Sequence, residues 1–247
     1  MSLEGKIAEL VTAANGLIST FNGKRNEIDK AVSKAISAVP EFFKVWYVDQ
    51  VNGSDKNDGS LKSPFSSIER AVDATPLGGA AEISLLSDYE AERRVHISGK
   101  WIQICGYEQR KKYTVKYYAE KSDGKDRLFL AGFLLTRGGE INLGRLSINL
   151  PSSQGEPDEK FNVYPTSLFH TWGWGGSGLL IAKIWDSTVE APDDFKGWVV
   201  GNTGIGVVFS INTVEFSKNL AGKYIGGVKS GTDPKSLPWL VSNVDVL

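Results

Sequence analysis

The chain divides according to the period of its apolar residues. Over residues 3 to 39 they recur about every 3.5 positions, and from about residue 43 they alternate in short runs broken by polar turns. In the first segment Leu3, Ile7, Leu10, Ala14, Leu17, Phe21, Lys24, Ile28 and Ala31 follow alternating steps of four and three. That spacing predicts a helix with one seam held towards a partner. Val11, Ile18 and Val32 lie beside the seam and widen the apolar face. A wider face suits three associating helices, or packing against another part of the protein. Lys24 and Gly23 interrupt the seam, and Pro40 ends the helix because the preceding residue is pushed out of the α region. The residues expected to drive oligomerisation are Leu3, Ile7, Leu10, Ala14, Leu17, Ile18, Phe21 and Ile28.

The stretch "WYVDQVNGSDKNDGSLKSPFSSIERAVDATP", Trp46 to Pro76, predicts a short strand, turns at Asn52-Gly53 and Asp58-Gly59, and a short helix. Ser66 and Glu69 read as a capping box, and Ile68, Ala71 and Val72 give the helix one apolar face. "EISLL", "RVHIS", "KWIQICG", "YTVKYY", "RLFLAGFLL", "EINLG" and "LSINL" then follow as short strands with tight turns. Such a series fits a sandwich or a solenoid. In a solenoid, a short amphipathic helix ahead of the first strands would cover an exposed end. One internal match supports a solenoid: "DSTVEAP" and "INTVEFS" share Thr-Val-Glu, at Thr188 to Glu190 and again at Thr213 to Glu215. Coils stacked at that repeat would set Thr188 over Thr213 and Glu190 over Glu215, about 4.8 Å apart.

The segment Tyr47 to Pro76 resembles the start of right-handed parallel β-helices of the pectate-lyase-like type, found in bacteriophage tail fibres and tailspikes. "VHISGKWIQICG" resembles their coil pattern. "LVTAANGLISTFNGKRNEIDKAVSKAISAVP" resembles the helical leader of many phage tail-fibre proteins. The resemblance covers about the first 105 residues. It implies a mostly β fold: a right-handed parallel β-helix preceded by an N-terminal coiled-coil-like helix, in a homotrimer. The expected division is a trimerisation and attachment helix (1–40), an opening strand and capping helix (41–80), and a β-helical body with loops (81–247). The implied function is that of a virion component, non-enzymatic, attaching the particle to host cell-surface glycan. Its partners would be itself, other phage tail proteins and host polysaccharide. The alternative within the same resemblance is a tailspike depolymerase, an endoglycosidase or lyase acting on capsule or O-antigen.

Composition narrows these readings. With 247 residues and 41% hydrophobic content the chain can bury a substantial core. A net charge of −1, with Arg110-Lys111-Lys112 as the one basic block, speaks against a nucleic-acid partner. Cys105 is the single cysteine and alternates with Ile102 and Ile104, the pattern of a packed thiol. The N-terminus carries no signal-peptide pattern, and no apolar run approaches the roughly 20 residues that span a bilayer.

Polysaccharide cleavage would need two carboxylates about 5 to 9.5 Å apart. Glu190 and Glu215 are the candidate pair, with Asp186 the next acidic group on the same strand. In "FHTWGWGGSG", Trp172 and Trp174 point to one face when extended, and His170 could add hydrogen bonds to a bound sugar. The same indoles would equally fill an interior. No metal or cofactor is expected. His96 and His170 lack ligand-spaced partners, Asp55, Asn57 and Asp58 fall one residue short of a calcium loop, and no helix follows "GNTGIG".

Overall fold

A computed structural model describes residues 2–38, 42–122, 124–161, 166–171, 178–201 and 204–247. They fall into two compact units, residues 1–41 and 42–247. The first is one helix, α1 (Leu3–Ala38), as the 3.5-residue period predicts. Its seam residues Leu3, Ile7, Leu10, Leu17, Ile18, Phe21 and Ile28 are 53% to 76% exposed. Pro40 lies outside the described residues.

The second unit runs β1 (Phe43–Val48), α2 (Ile68–Ala74), β2 (Ala80–Leu85), β3 (Tyr89–Ala91), β4 (Val95–Ser98), β5 (Trp101–Gly106), β6 (Lys111–Val115), β7 (Tyr117–Ser122) and β8 (Lys125–Leu130). It continues with β9 (Phe133–Thr136), β10 (Glu140–Gly144), β11 (Leu146–Asn149), β12 (Ser167–His170), β13 (Leu179–Glu190), β14 (Trp198–Val200), β15 (Gly206–Phe216) and β16 (Leu240–Ser242).

Ten strands make one parallel sheet with two limbs. The first limb is β1-β2-β5-β10-β13-β15-β16, and the second is β3-β6-β11 joined to the later halves of β13 and β15. β4, β9, β12 and β14 make a separate parallel sheet, and β7 and β8 pair as an antiparallel ribbon. The limbs meet along a line of left-handed residues: Arg145 (φ 51°) between β10 and β11, Asp186 (φ 43°) within β13 and Thr213 (φ 55°) within β15. None is glycine, so each corner carries a steric cost that the surrounding pairing must hold.

Alternation along the strands builds the core. On β5, Ile102 and Ile104 are fully buried while Trp101 and Gln103 face outward. Inside, Tyr89, Tyr113, Phe133 and Phe169 stack in series with ring centroids 5.8, 6.2 and 6.0 Å apart. The helix α2 packs against β1, β2 and β4 and buries Ile68, Ala71 and Val72. Its N-cap is Ser67, one residue later than the predicted Ser66. The Asp55 carboxylate accepts the backbone N–H of Ser66 (3.0 Å) and of Ser67 (2.9 Å), and the Ser67 hydroxyl (2.8 Å).

These findings correct the expected fold class, a right-handed parallel β-helix led by a coiled-coil-like helix. What forms instead is a bent ten-stranded parallel sheet with a four-stranded one, two helices and an antiparallel ribbon. No regular coil length runs through the described strands. In the first limb Ala80 pairs with Trp101, Trp101 with Glu140, Glu140 with Ile181 and Leu179 with Gly206. The second and third of these passes take almost twice as much chain as the first. The long strands β13 and β15 pass through the bend without a break, and α1 is a single helix with its seam uncovered. The stacking expected from the repeated Thr-Val-Glu is also corrected. Thr188 pairs with Glu215 and Val189 with Phe216, a slip of two positions. Such a slip leaves every side chain on its expected face, which is why the sequence match looked sound.

Candidate functional site

The outward face of the first limb carries three rows of side chains in register. The middle row is Val45, Glu82, Gln103, Asn142, Lys183 and Ser210 on β1, β2, β5, β10, β13 and β15. One flanking row holds Phe43, Ala80, Trp101, Glu140, Ile181 and Val208, and the other Tyr47, Ser84, Cys105, Gly144, Trp185 and Asn212. Adjacent members of a row stand about 4.8 Å apart, the strand spacing.

Three polar groups of the middle row, Glu82, Gln103 and Asn142, are held by neighbours within the row or on its flanks. Gln103 Nε2 donates to Glu82 Oε2 at 3.0 Å, and the Ser84 hydroxyl donates to Glu82 Oε1 at 3.3 Å. Asn142, with its amide oxygen towards Trp101, accepts the indole N–H at 3.2 Å. Trp101 and Trp185 are both half-buried and lie on opposite flanks. Two strand spacings and four residues along the strand put them roughly 16 Å apart. The Trp185 ring lies on Gly144, where any side chain would collide with it. The Arg145 guanidinium is 5.9 Å from that ring and donates to Cys105 Sγ at 3.5 Å. Cys105 is buried, and burial pushes its thiol pKa up. The face is thus a hydrogen-bonding strip bordered by flat apolar rings, with the chemistry to stack on C–H surfaces and bond to hydroxyls.

The residues singled out from sequence are placed differently. Trp172 and Trp174 lie outside the described residues. His170 is 1% exposed at the end of β12, so it cannot reach a surface sugar, and that assignment is corrected. Burial, reinforced by Arg94 and His96, lowers its pKa to about 3. Glu190 and Glu215 do not stack. Glu215 faces Thr188, which leaves the glutamates as diagonal neighbours about 8 Å apart at Cα by strand geometry. Both are exposed, and neither has the buried setting that a general acid needs. Asp186 is a corner residue whose carboxylate pairs with Arg110 at 2.9 Å.

A concavity of about 210 Å³, lined by Glu69, Asp73, Arg94, Val95 and His96, opens between α2 and β4. Its charges are engaged within the fold: Glu69 accepts the Tyr89 hydroxyl at 3.2 Å, and Arg94 pairs with Glu120 at 3.1 Å. Burial raises the Glu69 carboxyl above its usual range. Among the described residues no group of three or more His, Cys, Asp or Glu is placed to hold a metal ion. No helix among them is long and apolar enough to cross a membrane.

Sequence reasoning placed none of Trp101, Gln103 and Trp185 among the candidates. The signal was present in "KWIQICG", where Trp101 and Gln103 alternate with Ile102 and Ile104.

No known family profile matches the sequence, and no curated protein matches it. Among solved structures, a GH136 lacto-N-biosidase from Eubacterium ramulus (native protein) is similar at 14% identity and a TM-score of 0.33. The match covers 70% of this chain and 36% of that one, and a likeness of this size carries no argument about fold or activity.

Proposed function

We propose that this chain is a non-enzymatic attachment protein: its β body binds an extended glycan along the outward face of the first limb, and α1 joins three copies. The observation that carries the reading is the polar row Glu82, Gln103, Asn142 and Lys183 bordered by Trp101 and Trp185. A polysaccharide presents alternating apolar faces and hydroxyl edges, and this strip offers partners for both. The exposed seam of α1 supports self-association, since water disfavours a contiguous apolar face of that length. The resemblance in sequence to phage tail fibres supports a phage virion as the particle and a host cell-surface polysaccharide as the glycan.

The test is binding of the purified chain to capsule and O-antigen preparations, with release of reducing or unsaturated ends measured in the same samples. Trp101→Ala and Trp185→Ala should each weaken binding at least tenfold while no ends are released. Release of ends would mean a depolymerase, and unchanged binding in both variants would remove the face from the site.

A further inference from the structure

His170 occupies an unusual position for a buried imidazole. Its neighbour Phe169 points inward and stacks on Phe133, so His170 points away from the core, beside Leu134 of β9. Leu134 and His170 are nevertheless each 1% exposed. One element packed against β12 is the ribbon β7–β8. Leu128 and Phe129 on β8 are buried, β8 packs against β12, and the Leu128 carbonyl accepts the Thr166 hydroxyl at 3.1 Å. Arginines fasten the ribbon. Arg94 Nη2 pairs with Glu120 of β7 at 3.1 Å, and its guanidinium lies 5.0 Å from the Phe129 ring. Arg93 lies 5.7 Å from the Tyr118 ring. Neither ring nitrogen of His170 makes a well-formed hydrogen bond among the described residues, and the nearby Ser167 backbone offsets its burial only weakly. The charged and titratable groups facing it are Arg94 and His96, both of which oppose a positive charge there, and Glu120 is held by Arg94.

We propose that the β7–β8 ribbon is an acid-released flap, which closes over a neutral His170 and opens when that imidazole takes up a proton. With the ribbon closed, burial holds the His170 pKa at about 3. With the ribbon open, the imidazole returns to its ordinary value of about 6.5. The closed form therefore binds fewer protons across this interval. Closure is fully favoured above pH 6.5 and weakens as the pH falls from there towards 3. Between pH 7.5 and pH 5 the ratio of open to closed ribbon should rise about 30-fold.

Amide hydrogen exchange over residues 117–130, corrected for the intrinsic pH dependence of exchange, reads this ratio directly. The wild-type chain should show that rise at pH 5 with the large sheet unchanged. His170→Leu places an apolar side chain beside Leu134 and should keep the ribbon closed at both pH values, whereas His96→Gln should retain the response. A wild-type ribbon indifferent to pH, or a response that survives His170→Leu, overturns the proposal. Should His170→Leu fail to fold, His170→Gln, which carries no titratable group, takes its place: loss of the pH response of the ribbon supports the flap, and a response that survives overturns it.

Discussion

Gly144 decides where the Trp185 indole lies. A Cβ at that position would collide with the ring, so Gly144→Ala must push the indole off the sheet. Overpacking of this kind costs about 1–3 kcal/mol in a closed core. Here the ring is half-exposed and free to move outward, so the cost should fall at the low end. Gly144→Ala is expected to keep the fold, shift the tryptophan emission and reduce glycan binding as far as Trp185→Ala does. Intrinsic fluorescence and a binding titration on one sample check both. Asp55 offers a second test. Burial alone would raise its pKa, but hydrogen bonds from Ser67 and Ser66 outweigh it and hold the carboxyl below its usual 3.8. Its contribution is present above the unfolded pKa and is lost as the pH falls through the lower folded value. Asp55→Ala should destabilise by about 1–2 kcal/mol, the usual loss of a helix cap, readable by urea titration at pH 7 and shrinking as the pH falls below 3.8. The sequence suggested a cap of the ordinary local kind at Ser66. The structure has that local cap one residue later, where the Ser67 hydroxyl accepts the Arg70 N–H at 3.1 Å, and adds bonds to Asp55, 11 to 12 positions away, which local capping rules do not capture.

At the scale of elements, the most legible part was the one with the longest period. The 3.5-residue spacing, sustained along the whole seam, marks α1 without help from tertiary context, and the structure places it there. Leu10→Glu combined with Leu17→Glu puts charges into the exposed seam. It should convert the expected trimer to a monomer by light scattering while the strand signal of residues 42–247 is unchanged, since that unit has its own core. Strands were legible wherever inward residues were β-branched and outward ones polar, as in "KWIQICG". Their phasing was not. The two Thr-Val-Glu segments matched faces correctly and neighbours wrongly, because period-two patterns are blind to slips of two positions.

At the scale of the whole molecule, the irregular passes hid the order of the sheets. The ribbon β7–β8 lengthens the pass from Trp101 to Glu140, and the segment leading to β12 lengthens the one from Glu140 to Ile181. Each takes almost twice the chain of the short pass from Ala80 to Trp101. A search for a fixed repeat averages such differences away. The corners were hidden for another reason. Arginine, aspartate and threonine take the left-handed turns where glycine would be sought, so composition gave no sign of the bend. The outward strip has a consequence of its own. Its middle row runs from a carboxylate through two amides to an ammonium group on four adjacent strands. Had those groups been identical, a repetitive polymer could slide among equivalent placements and lie in either sense. A graded row distinguishes head from tail, so under the proposed function a glycan held along it would point one way, and a protein gripping it would acquire a fixed heading on the surface it met.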